Sequence, residues 1–202
     1  PIINSKNVMD SHLNYNAFKE DVSLNVYAKV IEDLSKNDGR YEYIYPYVNL
    51  SKSFENIQYN FTGYNKKFNT NQDIISITNN LLYSSNDKYT LYGLKRNWKA
   101  LIKNVNSNNN KTADKQGSNY DLYSGLIYDL NLPLVKKGNK FDKIIDPKIS
   151  LRYSPNKNKN MSNDDRRMDL NNIFSLDRIS SNETVEGGES LTLGIDYRFT
   201  EN

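Results

Sequence analysis

The chain has no cysteine, which excludes a disulfide framework, a thiolate metal centre and a thiol nucleophile. It has one histidine, His12, in a polar amino-terminal stretch without a partner pattern, so zinc spacings and histidine-based triads are missing too. No serine elbow or phosphate-cradling glycine loop occurs; Gly187-Gly188 is followed by a strand pattern, not a helix. Nothing here reads as an enzyme, and no cofactor or metal is expected. No apolar run approaches the length of a transmembrane helix, about 18 residues. Charge of one sign is also scarce: 27 basic against 24 acidic residues give +3, too little to imply nucleic acid.

What is present contrasts with these absences. The mean hydropathy of −0.81 suits a soluble or disordered chain. Yet there are 16 Tyr and 7 Phe, and disordered chains are poor in aromatics. Outer-membrane barrels reconcile the two, because their lumen and loops are polar and only alternate strand residues touch lipid.

Period-two patterning supports that class. In the closing stretch Leu191, Leu193, Ile195, Tyr197 and Phe199 share one face, with Thr192, Gly194, Asp196 and Arg198 on the other. Similar alternation predicts strands over 22–31, 41–50, 57–63, 73–84, 89–103, 120–130 and 148–153, with a weaker one near 8–17. Residues 1–20 form an uncertain leading segment and 21–202 an all-β, antiparallel portion of about nine or ten strands. Residues 52–55 and 85–88 read as short turns, and 65–72 and 104–119 as longer Asn-rich loops, the short-and-long alternation of an outer-membrane barrel. Pro46 lies inside a strand pattern and marks an edge, a bulge or a local break in pairing. Pro133, Pro147 and Pro155 are expected at strand ends.

Two basic clusters stand out. Lys95, Arg96, Lys99 and Lys103 surround Trp98; Lys136, Lys137, Lys140 and Lys143 read as a connection. Single-stranded nucleic acid or anionic sugars and phosphates could meet such groups, but a solvated face is preferred. Arg96 and Trp98, on one face with Leu94 and Tyr92, also suit an interfacial girdle. Asp164-Asp165 beside Arg166-Arg167 reads as mutual compensation.

Several motifs, in order, resemble one family. Arg40-Tyr41 opens a strand that contains Pro46. Asn69-Thr70-Asn71 is followed by Asn79-Asn80-Leu81. Leu132-Pro133-Leu134 precedes Asp146-Pro147 and the run from Ser150 to Pro155. Asn172, Phe174, Arg178, Glu186 and Gly188 then lead into the final strand. Together, over roughly residues 20–200, they resemble the barrel region of the lipopolysaccharide-assembly outer-membrane proteins, the LptD (OstA) family. The resemblance implies an internal piece of a transmembrane β-barrel wall in the outer membrane of a Gram-negative cell. It implies passage of lipopolysaccharide, not catalysis, with periplasmic bridge proteins delivering the lipid and an LptE-like lipoprotein as plug. In that wall Leu191, Leu193, Ile195, Tyr197 and Phe199 would face outer-membrane lipid. The alternatives are a porin-like channel, or a secreted all-β carbohydrate-binding domain whose apolar faces pack on a second sheet.

Overall fold

The computed structural model describes residues 7–68, 72–110, 117–138, 140–159 and 168–201. Asn69–Asn71 and Asp164–Arg167, read above from sequence, lie outside the described residues. Among the described residues there is no helix. Eleven strands form one antiparallel sheet. They are β1 (Val8–Lys19), β2 (Val22–Asp33), β3 (Tyr41–Ser53), β4 (Ile57–Phe68), β5 (Gln72–Ser84), β6 (Lys88–Tyr89), β7 (Lys95–Asn110), β8 (Gly117–Asn131), β9 (Leu134–Lys136), β10 (Phe141–Ser154) and β11 (Gly188–Glu201). The order is β1-β2-β3-β4-β5-β7-β8-β10-β11, a meander in which short β6 pairs with β7 and β9 with β10. Among the described residues β1 and β11 are not paired with each other, so the sheet is open.

The chain divides into two compact units, residues 1–81 with 104–122, and residues 82–103 with 123–202. In the first unit, β1 and β2 pair without interruption from Val8↔Asp33 to Lys19↔Val22. The β2–β3 register shifts between Tyr27 and Lys29, and the β3–β4 register between Ile44 and Tyr47. Pro46 sits in that shift. Of the three roles open to it the edge is excluded, because β3 is an interior strand; Pro46 has no ladder partner on either side and sits where both ladders shift register.

In the second unit β10 is paired along its length with β11, from Phe141↔Glu201 to Ser154↔Gly188. On its other side it meets β9 over Lys143–Ile145 and β8 over Lys148–Tyr153. Pro147 therefore lies inside a strand, not at its end as its sequence context suggests. Its carbonyl accepts from Leu132 N–H at 3.1 Å. A strand residue's N–H and C=O point the same way, so the missing N–H faces the Leu132-Pro133 step, where β8 has already left the ladder.

Other expectations need correction. The Asn-rich stretches 65–68 and 104–110 extend β4 and β7 instead of forming loops, because ladder pairing uses backbone groups that polar side chains do not remove. The strand expected over 89–103 begins only at Lys95. Leu91 and Tyr92 are fully solvent-facing in a turn, so Tyr92 and Leu94 do not continue the face of Arg96 and Trp98. Lys136 and Lys143 pair across β9 and β10 and do not belong to a free connection.

Candidate functional site

Strands β5, β10 and β11 are dressed against the usual rule for a protein in water, whereas β7 and β8 bury Leu101, Val105, Tyr123 and Ile127 on the covered face. Fully buried β10 residues are Ser150, Arg152 and Ser154, while Ile149, Leu151 and Tyr153 between them are exposed. In β5, Ser76 and Thr78 are buried and Ile75 and Ile77 exposed. In β11, Thr192 is 9% exposed, and Leu191, Leu193 and Ile195 are 61%, 68% and 71% exposed. Burying a leucine or isoleucine is worth about 1.5–3 kcal/mol. A contiguous face that forgoes this at so many adjacent positions has the character of an interaction surface.

Register joins the exposed residues into one patch in the second unit. Leu126, Tyr153 and Glu189 form one lateral row; Tyr128, Leu151 and Leu191 the next; Leu130, Ile149 and Leu193 a third. Pro147 and Ile195 follow, then Ile145 and Tyr197, then Lys143 and Phe199. The middle rows are aliphatic and uncharged, and aromatic residues stand at both ends. Tyr197 and Phe199 meet edge to face at 4.7 Å, with the Lys143 ammonium 5.8 Å from the Phe199 ring. The exposed side of β7 and β5 carries a further aromatic pair, Trp98 and Tyr83, 4.7 Å apart.

The first unit repeats the arrangement. Tyr15, Val26, Val48 and Gly63 make one row, and Ala17, Leu24, Leu50 and Phe61 the next. Lys19, Val22, Lys52 and Tyr59 end the band on one side, with Lys52 over the Phe54 ring at 4.7 Å; Val30 and Tyr43 end it on the other. Its opposite face is polar. Asn25 donates to Asn14 (2.9 Å), Asn49 donates to Thr62 (3.0 Å), Lys29 pairs with Asp10 (2.6 Å), and Tyr27 stacks on Tyr47 at 4.3 Å.

On the polar face of the second unit lies the connection between β10 and β11. Two apolar side chains seat it in glycine notches. A Cβ on Gly194 would stand 2.6 Å from the Phe174 ring, and one on Gly125 would stand 3.1 Å from Leu176. Three cations then tie it down. Lys103, 3% exposed, donates to Asp177 (2.6 Å) and to the Ser181 carbonyl (2.7 Å). Arg152 donates to the Leu176 carbonyl at 2.7 Å and to the Glu186 carbonyl. Arg178 grips Glu186 through two bonds, 2.8 and 2.5 Å. The connection's own Val185 and Thr184 are fully buried. At its exit, Gly187 runs so close to the Asn156 carbonyl that a Cβ would come within 1.9 Å, and Gly188 enters β11 at φ +104°.

The motif residues are thus distributed unevenly. Phe174, Arg178, Glu186 and Gly188 come together in this clasp. Asn172 stands at its start, where its side chain accepts from Asp169 N–H at 2.9 Å. Arg40 and Tyr41 form a separate cluster around Glu32, with Tyr41 donating at 3.0 Å and the Arg40 guanidinium 5.2 Å from the Tyr41 ring. Pro46, Pro133 and Pro147 mark the ladder interruptions described above. The sequence sets Lys103 in the basic cluster around Trp98 and Arg152 in the run from Ser150 to Pro155, but brings neither together with Asp177 or with residues 176–186. One signal was available: Lys103 alternates in phase with Leu101 and Val105, so it shares the covered face of β7. Two other basic residues near Trp98 are engaged: Lys95 pairs with Asp87 (2.7 Å) and Lys99 lies 3.8 Å from Asp129. Among the described residues no group of three or more acidic or histidine side chains could hold a metal ion. No protein-family model matches the chain, and no curated protein matches it.

Proposed function

We propose that this chain supplies wall strands of an outer-membrane β-barrel, and that the barrel passes lipopolysaccharide to the cell surface. The observation that carries the membrane half is the aliphatic, uncharged rows exposed on one face, while the covered face holds serine, threonine and cations beside a small apolar core of Leu101, Val105, Tyr123 and Ile127. Water-soluble sheets bury the first and expose the second; lipid reverses the preference.

The dimensions agree. From Leu191 to Phe199 the strand rises eight residues, about 27 Å at 3.4 Å each. Tilted by the usual 35–45° it spans roughly 20 Å, close to the apolar band of about 25 Å in such barrels. Aromatic residues at both ends of the band in each unit, with Lys19, Lys52 and Lys143 beside them, match headgroup-level girdles and snorkelling lysines. A soluble carbohydrate-binding sandwich would need a second sheet over this face, and its opposite face would not need a clasp of buried cations.

The lipopolysaccharide half rests on the ordered motifs that resemble the LptD family. In that role the polar face lines the route of the sugars, and the lipid-facing rows hold the wall in the membrane. The mechanism is passage along a polar surface, with delivery by periplasmic bridge proteins and an LptE-like lipoprotein as partner.

The decisive experiment is depletion of the protein in the cell that makes it. Loss of newly made lipopolysaccharide from the surface, with accumulation behind the outer membrane, is the expected result. Unchanged delivery with altered permeability to small solutes would replace the proposal with a porin-like channel. Recovery of the protein in the soluble secreted fraction would remove the membrane altogether.

A further inference from the structure

The apolar face of the second unit is not uniform. A groove of about 500 Å³, lined by Leu126, Tyr128, Leu151, Tyr153, Leu191 and Glu189, opens at one end of the band. Its long wall is aliphatic and tyrosine, and its volume suits about one acyl chain. Its mouth carries a carboxylate. Glu189 is exposed, sits beside Tyr153 in the ladder, and has no ion pair among the described residues. Arg152 touches the groove only from behind, because its guanidinium points to the covered face and donates to Leu176 and Glu186. Within the groove, therefore, no cation is offered to a bound anion.

We infer that the groove seats one phospholipid with a primary ammonium headgroup, of the phosphatidylethanolamine type. An acyl chain lies along Leu126, Leu151 and Leu191, and the ammonium meets Glu189 beside the Tyr153 ring. The inference rests on the membrane-wall proposal and adds a lipid preference to it. The physics is charge complementarity at headgroup depth. An uncompensated carboxylate at the edge of an apolar band repels a purely anionic headgroup. It gains a charge-assisted hydrogen bond from an ammonium, and the ring faces favour the same cation.

The test uses the intact protein in vesicles that contain phosphatidylethanolamine and phosphatidylglycerol, one of the two brominated on its acyl chains. In a Trp98→Phe background, a single tryptophan is placed in the groove by Leu126→Trp, or on the same face outside it by Leu193→Trp. The groove reporter should be quenched about two- to fivefold more effectively by brominated phosphatidylethanolamine, the span expected of one partly exposed ion pair. The outer reporter should not discriminate. Glu189→Gln should abolish the preference and Glu189→Asp should keep it. Equal quenching by both lipids at Leu126→Trp overturns the inference and leaves the membrane wall standing. Failure of both lipids to quench either reporter overturns the membrane wall with it.

Discussion

Arg178 and Glu186 show how much a single pair can decide. Arg178 is only 8% exposed in its side chain and Glu186 23%, and the two share a bidentate contact eight residues apart. Removing one partner leaves the other charge half-buried and unmatched. Arg178→Met is expected to cost about 3 kcal/mol, seen as a lower urea midpoint for loss of the folded form. Arg178→Met combined with Glu186→Leu should recover most of that loss; a double variant as weak as the single one would mean the pair is not self-compensating. Ile195 presents the opposite case. At 71% exposure its replacement by arginine would be nearly neutral in water. In the proposed wall it is expected to cost about 2–4 kcal/mol, measured by unfolding from bilayers. Full assembly of Ile195→Arg at wild-type stability would count against lipid on that face.

At the scale of elements, the connection between β10 and β11 behaves as a structured part of the fold, held by Lys103 of β7, Arg152 of β10 and its own Arg178–Glu186 pair. Its exit is the sensitive point. A Cβ at Gly187 would collide with the Asn156 backbone oxygen, which cannot rotate away as a side chain could. Gly187→Ala is expected to unseat the connection, so that limited proteolysis cuts between Leu170 and Gly188 while the strands remain protected. The short connection between β5 and β7 responds to pH instead. Asp87 accepts from Lys95 and from Asn97 at 2.8 Å, and these contacts, Lys95 first, hold its carboxyl below the ordinary 3.8. A depressed carboxylate stabilises fully above its unfolded value and loses that contribution as pH falls through the folded one. Amide protection factors over residues 85–94, which correct for the intrinsic pH dependence of exchange, should therefore be flat above pH 3.8 and fall below it, and Asp87→Asn should remove the step.

For the whole molecule, the inverted dressing of the sheet makes a physical prediction independent of any family. A sheet with this face in water would aggregate or expose a large apolar patch, whereas in detergent or lipid it is satisfied. The intact protein should need detergent for extraction. It should also show a faster electrophoretic band when unboiled than when boiled, because a hydrogen-bonded sheet resists dodecyl sulfate until heated. A single boiling-independent band together with detergent-free solubility would contradict the membrane assignment. The open ends of the sheet at β1 and β11 bear on the same point. Unpaired backbone groups are costly in lipid, so a wall of this kind requires both edges to be paired with further strands.

Much of this was written in the chain itself. Period-two alternation gave the faces of β2, β10 and β11, since the pleat sends successive side chains to opposite sides whatever lies beyond. It also gave Gly188 as a strand entry. Alternation could not give strand ends, because the Asn-rich extensions of β4 and β7 pair through backbone groups that carry no hydropathy signal. Nor could it distinguish a buried Lys103 from its partly exposed neighbours Lys95 and Lys99, or join Arg152 to residues 176–186. Those contacts are made by side chains distant in sequence, and they exist only once the connection folds back onto the sheet. Local periodicity thus determined which way each residue faces. Tertiary structure alone decided which face is covered, and by what, because burial depends on the neighbours that long-range pairing brings.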